Sequence, residues 1–388
     1  MVLNPIGDIQ GFIRHSPHSA EQQRVIRSLL LLPDRDVAGN MANTYSSFVG
    51  ADKGLVKLPE PIMAEPSKSD LYVGVDLGGT KILSGVFTSQ LTLLQTAKLS
   101  TKSDRGFDAV VDRIARCVLD AVDEADASLK QVRAIGIGAP GAIRPESGEV
   151  IFAPNLQWED APLKKALEKQ LSVPVFVEND CNACALGVYE MELKGKPKSM
   201  LGIFLGTGIG GGILLDGRIY RGFNGTAGEL GHMVLEVGGP KCGCGNNGCF
   251  EALASRTALF REIQQRVKAG EKTVLTDALG PELENLKSGD LRKALRKGDK
   301  LVEKVVESAA EYTGIAVGNL INIFNPEVVV LGGGVIDALE DDMMSIIVET
   351  AKDYAMPGTA KGIEIMASKL GDNAGITGGA VLARQRQK

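Results

Sequence analysis

Between residues 71 and 87 two apolar runs flank one polar, glycine-bearing break. Leu71-Tyr72-Val73-Gly74-Val75 reads as a buried strand, Asp76-Leu77-Gly78-Gly79-Thr80-Lys81 as a turn, and Ile82 to Phe87 as the returning strand. A hairpin is predicted. A third strand at Leu91–Leu99, an amphipathic helix from about Gly106 to Ala127 and a buried strand at Val132–Gly138 extend it to ββ-β-α-β, a mixed α/β pattern. Val173–Val177 is a further short strand and Cys181–Glu190 is helix-like, so Glu178-Asn179-Asp180 falls at a strand-to-helix junction. The next strand, Met200–Leu205, runs into a glycine turn, Gly206-Thr207-Gly208-Ile209-Gly210-Gly211-Gly212, and Ile213–Leu215 returns as a strand. This repeats the first hairpin, as expected of two like lobes facing each other. A long helix from about Lys300 to Phe324, a strand at Val328–Leu331 and the cluster Gly332-Gly333-Gly334 follow.

Upstream of Leu71 the pattern weakens. Ala20 to Leu32 reads as one short helix ended by Pro33, and Leu58 to Asp70 is a proline-rich polar run that reads as a linker, so a domain boundary is expected there. Residues 1–70 hold seven Lys/Arg against eight Asp/Glu, which gives no basic stripe. One helix is also too few for a helix-turn-helix. The segment is therefore read as an extension that packs on the body or stays partly mobile. Over the whole chain of 388 residues, 44% hydrophobic content suits two packed domains, and a net charge of −5 gives no field for nucleic acid or an anionic membrane. No apolar run approaches the roughly 18–20 residues of a membrane span. Six sparse cysteines and the lack of a secretory leader point to a reducing, cytoplasmic setting.

Three places carry candidate chemistry. Three cysteines, Cys242, Cys244 and Cys249, crowd into eight residues, with His232 ten positions upstream and Glu229 and Glu251 at the two ends. That set predicts a zinc-pinned loop presenting carboxylates to a ligand. At the first turn, Gly78 and Gly79 free the backbone N–H groups to face an anion, and Thr80 and Lys81 add donors. Asp76 cannot donate to phosphate, and its expected work is with metal-bound water. Gly206, Thr207, Gly208 and Gly210 form the second such turn, and Gly333 and Gly334 suit close approach by a base or ribose. At the junction, Asn179 or Asp180 could simply cap the helix; in a kinase Asp180 could instead accept the proton of an attacking hydroxyl while Asn179 fixes the same sugar. Cys181 and Cys184 read as core thiols. Gly141, in the Gly138–Gly141 turn, and Asn155, beside the only tryptophan, Trp158, lie where open α/β sheets place ligands.

Taken in order, Asp76–Lys81, Glu178–Asp180, Gly206–Gly212 and the Glu229-to-Glu251 stretch resemble the ROK family of sugar kinases and repressors, most closely its glucokinases. The resemblance covers about residues 71–388. It implies an α/β fold of the two-lobed actin-like, ribonuclease-H-like ATPase type with a zinc-stabilised loop. The implied division is an extension at 1–70, a first lobe at 71–177 on which a final helix within 375–388 packs back, and a second lobe at 178–374 with the sugar and zinc loop. Carried over, Asp180 is the catalytic base; Asn179, Glu229, His232 and Glu251 bind sugar hydroxyls, joined by Asn155 and Gly141; and His232, Cys242, Cys244 and Cys249 hold a structural Zn²⁺. ATP with Mg²⁺ is the implied phosphoryl donor, and the implied product is glucose phosphorylated on its 6-hydroxyl, a glycolytic step run by a cytoplasmic homodimer. N-acetylmannosamine or N-acetylglucosamine kinase activity is an alternative. A sugar-sensing repressor is another, but residues 1–70 have the wrong composition for DNA and Asp76, Gly78, Gly79, Thr80 and Asp180 are retained.

Overall fold

The computed structural model describes residues 70–387; the helix expected at Ala20–Leu32 and the linker lie outside the described residues. The strands in chain order are β1 (Leu71–Leu77), β2 (Lys81–Thr88), β3 (Leu93–Ser100), β4 (Val132–Ala139), β5 (Ala142–Arg144), β6 (Glu149–Ala153), β7 (Trp158–Ala161), β8 (Val175–Asn179), β9 (Ser199–Leu205), β10 (Ile209–Leu215), β11 (Arg218–Ile219), β12 (Val328–Gly332) and β13 (Glu364–Ala367). They form two five-stranded sheets of order β3-β2-β1-β4-β8 and β11-β10-β9-β12-β13, with β5-β6-β7 as a small third sheet.

The two large sheets repeat one plan. In the first, β1 and β2 pair antiparallel from Leu71↔Thr88 to Leu77↔Ile82, β3 extends the hairpin antiparallel, and β4 and β8 add parallel on the other side. In the second, β9 and β10 pair antiparallel from Ser199↔Leu215 to Leu205↔Ile209, β11 extends the hairpin, and β12 and β13 add parallel. Parallel neighbours need crossover connections, and helices supply them.

The helices are α1 (Phe107–Glu124), α2 (Leu163–Leu171), α3 (Asp180–Met191), α4 (Phe250–Ala254), α5 (Arg256–Lys268), α6 (Leu275–Leu279), α7 (Ser288–Arg296), α8 (Lys300–Phe324), α9 (Ile336–Tyr354) and α10 (Ala374–Arg386). The apolar stripe of α1, including Val111, Ile114, Val118 and Val122, closes one face of the first sheet. α8 has the predicted bounds. Asp299 caps it by accepting from the Leu301 and Val302 N–H groups at 3.1 Å, and Asn325 ends it in the left-handed conformation. Together with α9 it packs its buried Val305, Val306, Ala309, Val317 and Ile321 into the core of the second sheet.

α3 and α10 pack on each other and touch both sheets, α10 on β1 and β4, α3 on β10 and β4. Their shared core joins Phe87, Ala185, Met200, Leu214, Val330, Ile376 and Ala380. This packing is backbone on backbone. A Cβ at Gly74 would lie 1.6 Å from the Ile376 carbonyl oxygen, and one at Gly378 would lie 1.7 Å from that of Ala183. The same constraint corrects the expected extent of the second glycine turn. Gly210, Gly211 and Gly212 are strand residues, because β10 begins at Ile209. A Cβ at 210 would meet Cys181 Sγ at 2.2 Å, and one at 212 would meet Ala185 Cβ at 2.5 Å, so those glycines let α3 lie on β10. The turn proper is Gly206–Gly208, closed by the Gly206 N–H on the Gly208 carbonyl at 2.8 Å.

A Gly378→Ala variant separates packing from propensity. Helix propensity alone would favour alanine by about 1 kcal/mol. The clash with Ala183 predicts the opposite sign, a net loss of about 1–3 kcal/mol in urea unfolding. An unchanged or raised midpoint would contradict the close α3–α10 packing.

Candidate active site

The β8–α3 junction is fixed by short-range hydrogen bonds. Asn179 is the N-cap of α3: its Oδ1 accepts the Cys181 N–H at 2.9 Å and the Asn182 N–H at 3.1 Å, and its Nδ2 donates to the Gly141 carbonyl at 3.2 Å. Asp180 is the first helical residue, and its Oδ1 accepts the Cys181 N–H at 2.8 Å. Behind them Glu178, 2% exposed, accepts from Arg221 Nε at 2.9 Å, Asn182 Nδ2 at 3.1 Å and the Asn179 N–H at 3.1 Å. This buried charge is paired and hydrogen-bonded on both oxygens, as burial requires. Arg221 follows β11, so the pair ties the junction to the second sheet's edge. Nothing in the pattern around Arg221 marked it beforehand.

Burial raises the Asp180 carboxyl to about 6 against hydrogen bonds from Cys181, with Glu229 adding repulsion. Asp76, on β1, is raised to about 7, by burial first and then by the charge of Asp180, with Lys81 opposing and Asp372 adding. Two carboxylates thus share one half-buried space. The thiols of Cys181 and Cys184 are pushed well above their ordinary value by burial and by these same aspartates, which agrees with inert packing groups.

The first turn is held by the Gly78 N–H on the Lys81 carbonyl at 2.9 Å and by Thr101, which donates Oγ1 to the Gly78 carbonyl at 2.6 Å and N–H to the Thr80 carbonyl at 2.9 Å. Gly79 packs beside Asn155, so the structure brings those two predicted residues together. Gly141 has φ +91°, and a Cβ there would strike the Phe152 carbonyl at 2.1 Å, so only glycine fits. Lys81 Nζ lies 2.9 Å from Asp372 Oδ2 in the approach to α10, a partner the sequence did not suggest. The ion pair holds the Asp372 carboxyl below its usual value.

The second turn meets the cysteine loop through one carboxylate. Glu251, on α4, accepts the Ile209 N–H on Oε2 at 2.9 Å, and a Cβ at Gly208 would lie 2.2 Å from that oxygen. Its Oε1 faces Cys242 Sγ at 3.7 Å. The donor atoms of His232, Cys242, Cys244 and Cys249 all lie within 4.8 Å of one another. His232 turns Nδ1 toward Cys242 Sγ, 3.7 Å away, and Nε2 toward Glu229 Oε2, 3.9 Å away. Burial and the neighbouring sulfurs push the Cys249 thiol up to about 12. Three thiolates cannot coexist so close without a cation, and one imidazole with three sulfurs is a donor set that suits Zn²⁺. Four protein ligands leave such a metal no open position, which makes it structural. The Gly333–Gly334 segment after β12 lies against the end of β9, where the Val335 N–H reaches the Leu205 carbonyl at 3.0 Å, next to Gly206.

Two like sheets with the glycine turns, the paired aspartates and the cysteine loop together are the actin-like ATPase type of α/β fold. The ROK family profile matches residues 72–386, and the chain belongs to that family. It is 37% identical to a glucokinase of Halalkalibacterium halodurans over 320 residues, 81% of this chain and 96% of the relative. It is also 32% identical to a xylose repressor of Caldicellulosiruptor bescii, over 70% of this chain and 68% of that one. Among solved structures, the ROK glucokinase of Streptomyces griseus, in complex with glucose and AMPPNP, superposes with a TM-score of 0.73 at 34% identity, covering 81% of this chain and 99% of that one. Among the described residues no helix is long and apolar enough to cross a membrane.

A Cys244→Ala variant tests the loop. Zinc content by plasma mass spectrometry should fall from about one ion per chain to about zero, since a ligand of the tetrahedral set is gone. Glucose affinity should fall with it. A zinc-free variant that stays folded and binds glucose normally would contradict this account of the loop.

Proposed function

We propose that this ROK-family sugar kinase transfers the terminal phosphoryl group of ATP to the 6-hydroxyl of glucose, with Asp180 as general base. The observation that carries the reading is the set of groups around Asp180: it interacts with Asp76 and with Glu229, which itself lies 3.9 Å from His232 Nε2, and its carboxyl is raised to about 6. Such a group is ionised at neutral pH yet basic enough to take a hydroxyl proton. As the sugar oxygen bonds to the γ-phosphorus, its proton passes to Asp180, and the bond to the β–γ bridging oxygen breaks to release ADP. Glu229, Glu251 and the Nε2 of His232 present hydrogen-bonding groups to sugar hydroxyls. Asn155, Gly141 and the remaining amide hydrogen of Asn179 complete that side.

The two turns, Gly78–Lys81 and Gly206–Gly208, would hold the donor's phosphates, Asp76 would hold a cation through its water, and Gly333 and Gly334 would leave room for the nucleoside. A packing requirement alone accounts for Gly210. The Asp76–Asp180 repulsion fits a site that takes a cation, and Mg²⁺ would supply charge neutralisation on the β- and γ-phosphates. The lobes of this reading divide at about residue 177, with 375–388 returning to the first. A cytoplasmic homodimer belongs to the same reading, and the six free cysteines suit a reducing compartment.

The repressor reading draws on the similarity to xylose repressors, and N-acetylhexosamine kinases are the neighbouring enzyme reading. A kcat/KM panel with ATP over glucose, mannose, fructose, N-acetylmannosamine and N-acetylglucosamine, run beside filter binding of duplex DNA, separates all three. The expected result is preference for glucose, no DNA retention, and a glucose kcat/KM that falls about tenfold per pH unit below about 6, as Asp180 of the free protein takes up its proton. Preference for an N-acetylhexosamine, or DNA binding without turnover, would replace the glucokinase reading.

A further inference from the structure

Arg256 is the first residue of α5, a helix whose first turn holds no acidic residue and whose N-cap is Ser255, accepting the Ala258 N–H at 3.2 Å. A helix N-terminus is already partly positive, so a guanidinium there has the disfavoured sign. Among the described residues no carboxylate lies within ion-pair distance of it, and its side chain donates instead to a neutral group, the hydroxyl of Thr207. A half-buried cation at the wrong end of a helix without a counterion is a cost that an anionic ligand would reverse.

What faces Arg256 identifies the ligand class. Thr207 is the middle residue of the second glycine turn, and that turn is bound to α5 by the Arg256 N–H on the Gly206 carbonyl at 3.0 Å and by Thr257 Oγ1 on the Thr207 carbonyl at 2.7 Å. The turn's other end, Gly208, touches Glu251. Arg256 therefore lies along the turn, one residue from the end that meets the sugar-side carboxylate. We infer that Arg256 binds the β- and γ-phosphoryl oxygens of the nucleotide, sharing them with the turn N–H groups and the Thr207 hydroxyl. The inference rests on the ATP-kinase reading and deepens it by naming a phosphate ligand outside the glycine turns.

Isothermal titration of ATP, ADP and AMP into the full-length wild type, Arg256→Ala, Arg256→Gln and Arg256→Lys, with ATP and glucose KM for each, tests it. In Arg256→Ala, ATP and ADP should bind on the order of ten- to a hundredfold more weakly, the scale of a lost charge-assisted hydrogen bond. AMP and glucose should bind as in wild type, and Arg256→Lys, which keeps the charge and loses the fork, should fall between. A role confined to holding the turn needs only a neutral donor to the Thr207 hydroxyl and would be restored in Arg256→Gln; wild-type ATP binding by Arg256→Gln, or unchanged ATP binding in Arg256→Ala, overturns the inference while leaving the kinase reading intact. Should Arg256→Ala unfold, unchanged ATP binding by a folded Arg256→Lys is the overturning result. Failure of the wild type to bind ATP would overturn both.

Discussion

Two like charges held in one half-buried space are the constraint on which the site depends. Asp76 comes from the first strand of one sheet and Asp180 from the helix that packs on both; burial raises both carboxyls, the charge of Asp180 raises Asp76 further, and Glu229 adds to the rise at Asp180. Such an arrangement is unfavourable in the free protein and persists only because surrounding structure fixes it. The fixing elements are α3 and α10, which rest on strand backbone where glycines leave no Cβ in the way. Packing free energy spread over a large core therefore offsets a local electrostatic cost, which a divalent cation bound beside the two carboxyls would relieve.

Glu251 does the corresponding work on the other side. One carboxylate accepts the Ile209 N–H at the second turn and faces Cys242 in the cysteine loop, two residues after Cys249. The cysteine loop, the turn and Glu251 are thereby parts of one assembly, and a metal held by the loop would contribute shape. His232 serves both ends, with one ring nitrogen toward the sulfurs and the other toward Glu229. A metal on Nδ1 would leave Nε2 as the protonated nitrogen, so the loop would also choose the tautomer that a sugar meets.

Much of this was legible in the residues. Continuous apolar runs broken by Gly-Thr turns mark both hairpins, and α8 lies where the pattern puts it because an aspartate cap and a left-handed asparagine bound it. The four metal-ligand candidates do converge. What periodicity could not reach were contacts between segments remote in sequence. Glu178 finds Arg221, Lys81 finds Asp372, and Arg256 finds Thr207, each joining elements whose proximity only the tertiary fold creates. Gly210–Gly212 were misread for a related reason. Glycine signals equally a turn and a strand on which a helix lies close, and one chain's pattern does not distinguish them. Asn179 had two readings in sequence, and its Oδ1 is taken by the cap while one amide hydrogen is left over.

Whether Asp180 accepts the proton of the attacking hydroxyl is read from steady-state ADP release with glucose by Asp180→Asn. With Asp180 as base, kcat falls by about 10²–10⁴ or more, the range for loss of a general base, while glucose still binds with near wild-type affinity. Turnover within a few-fold of wild type would contradict that role.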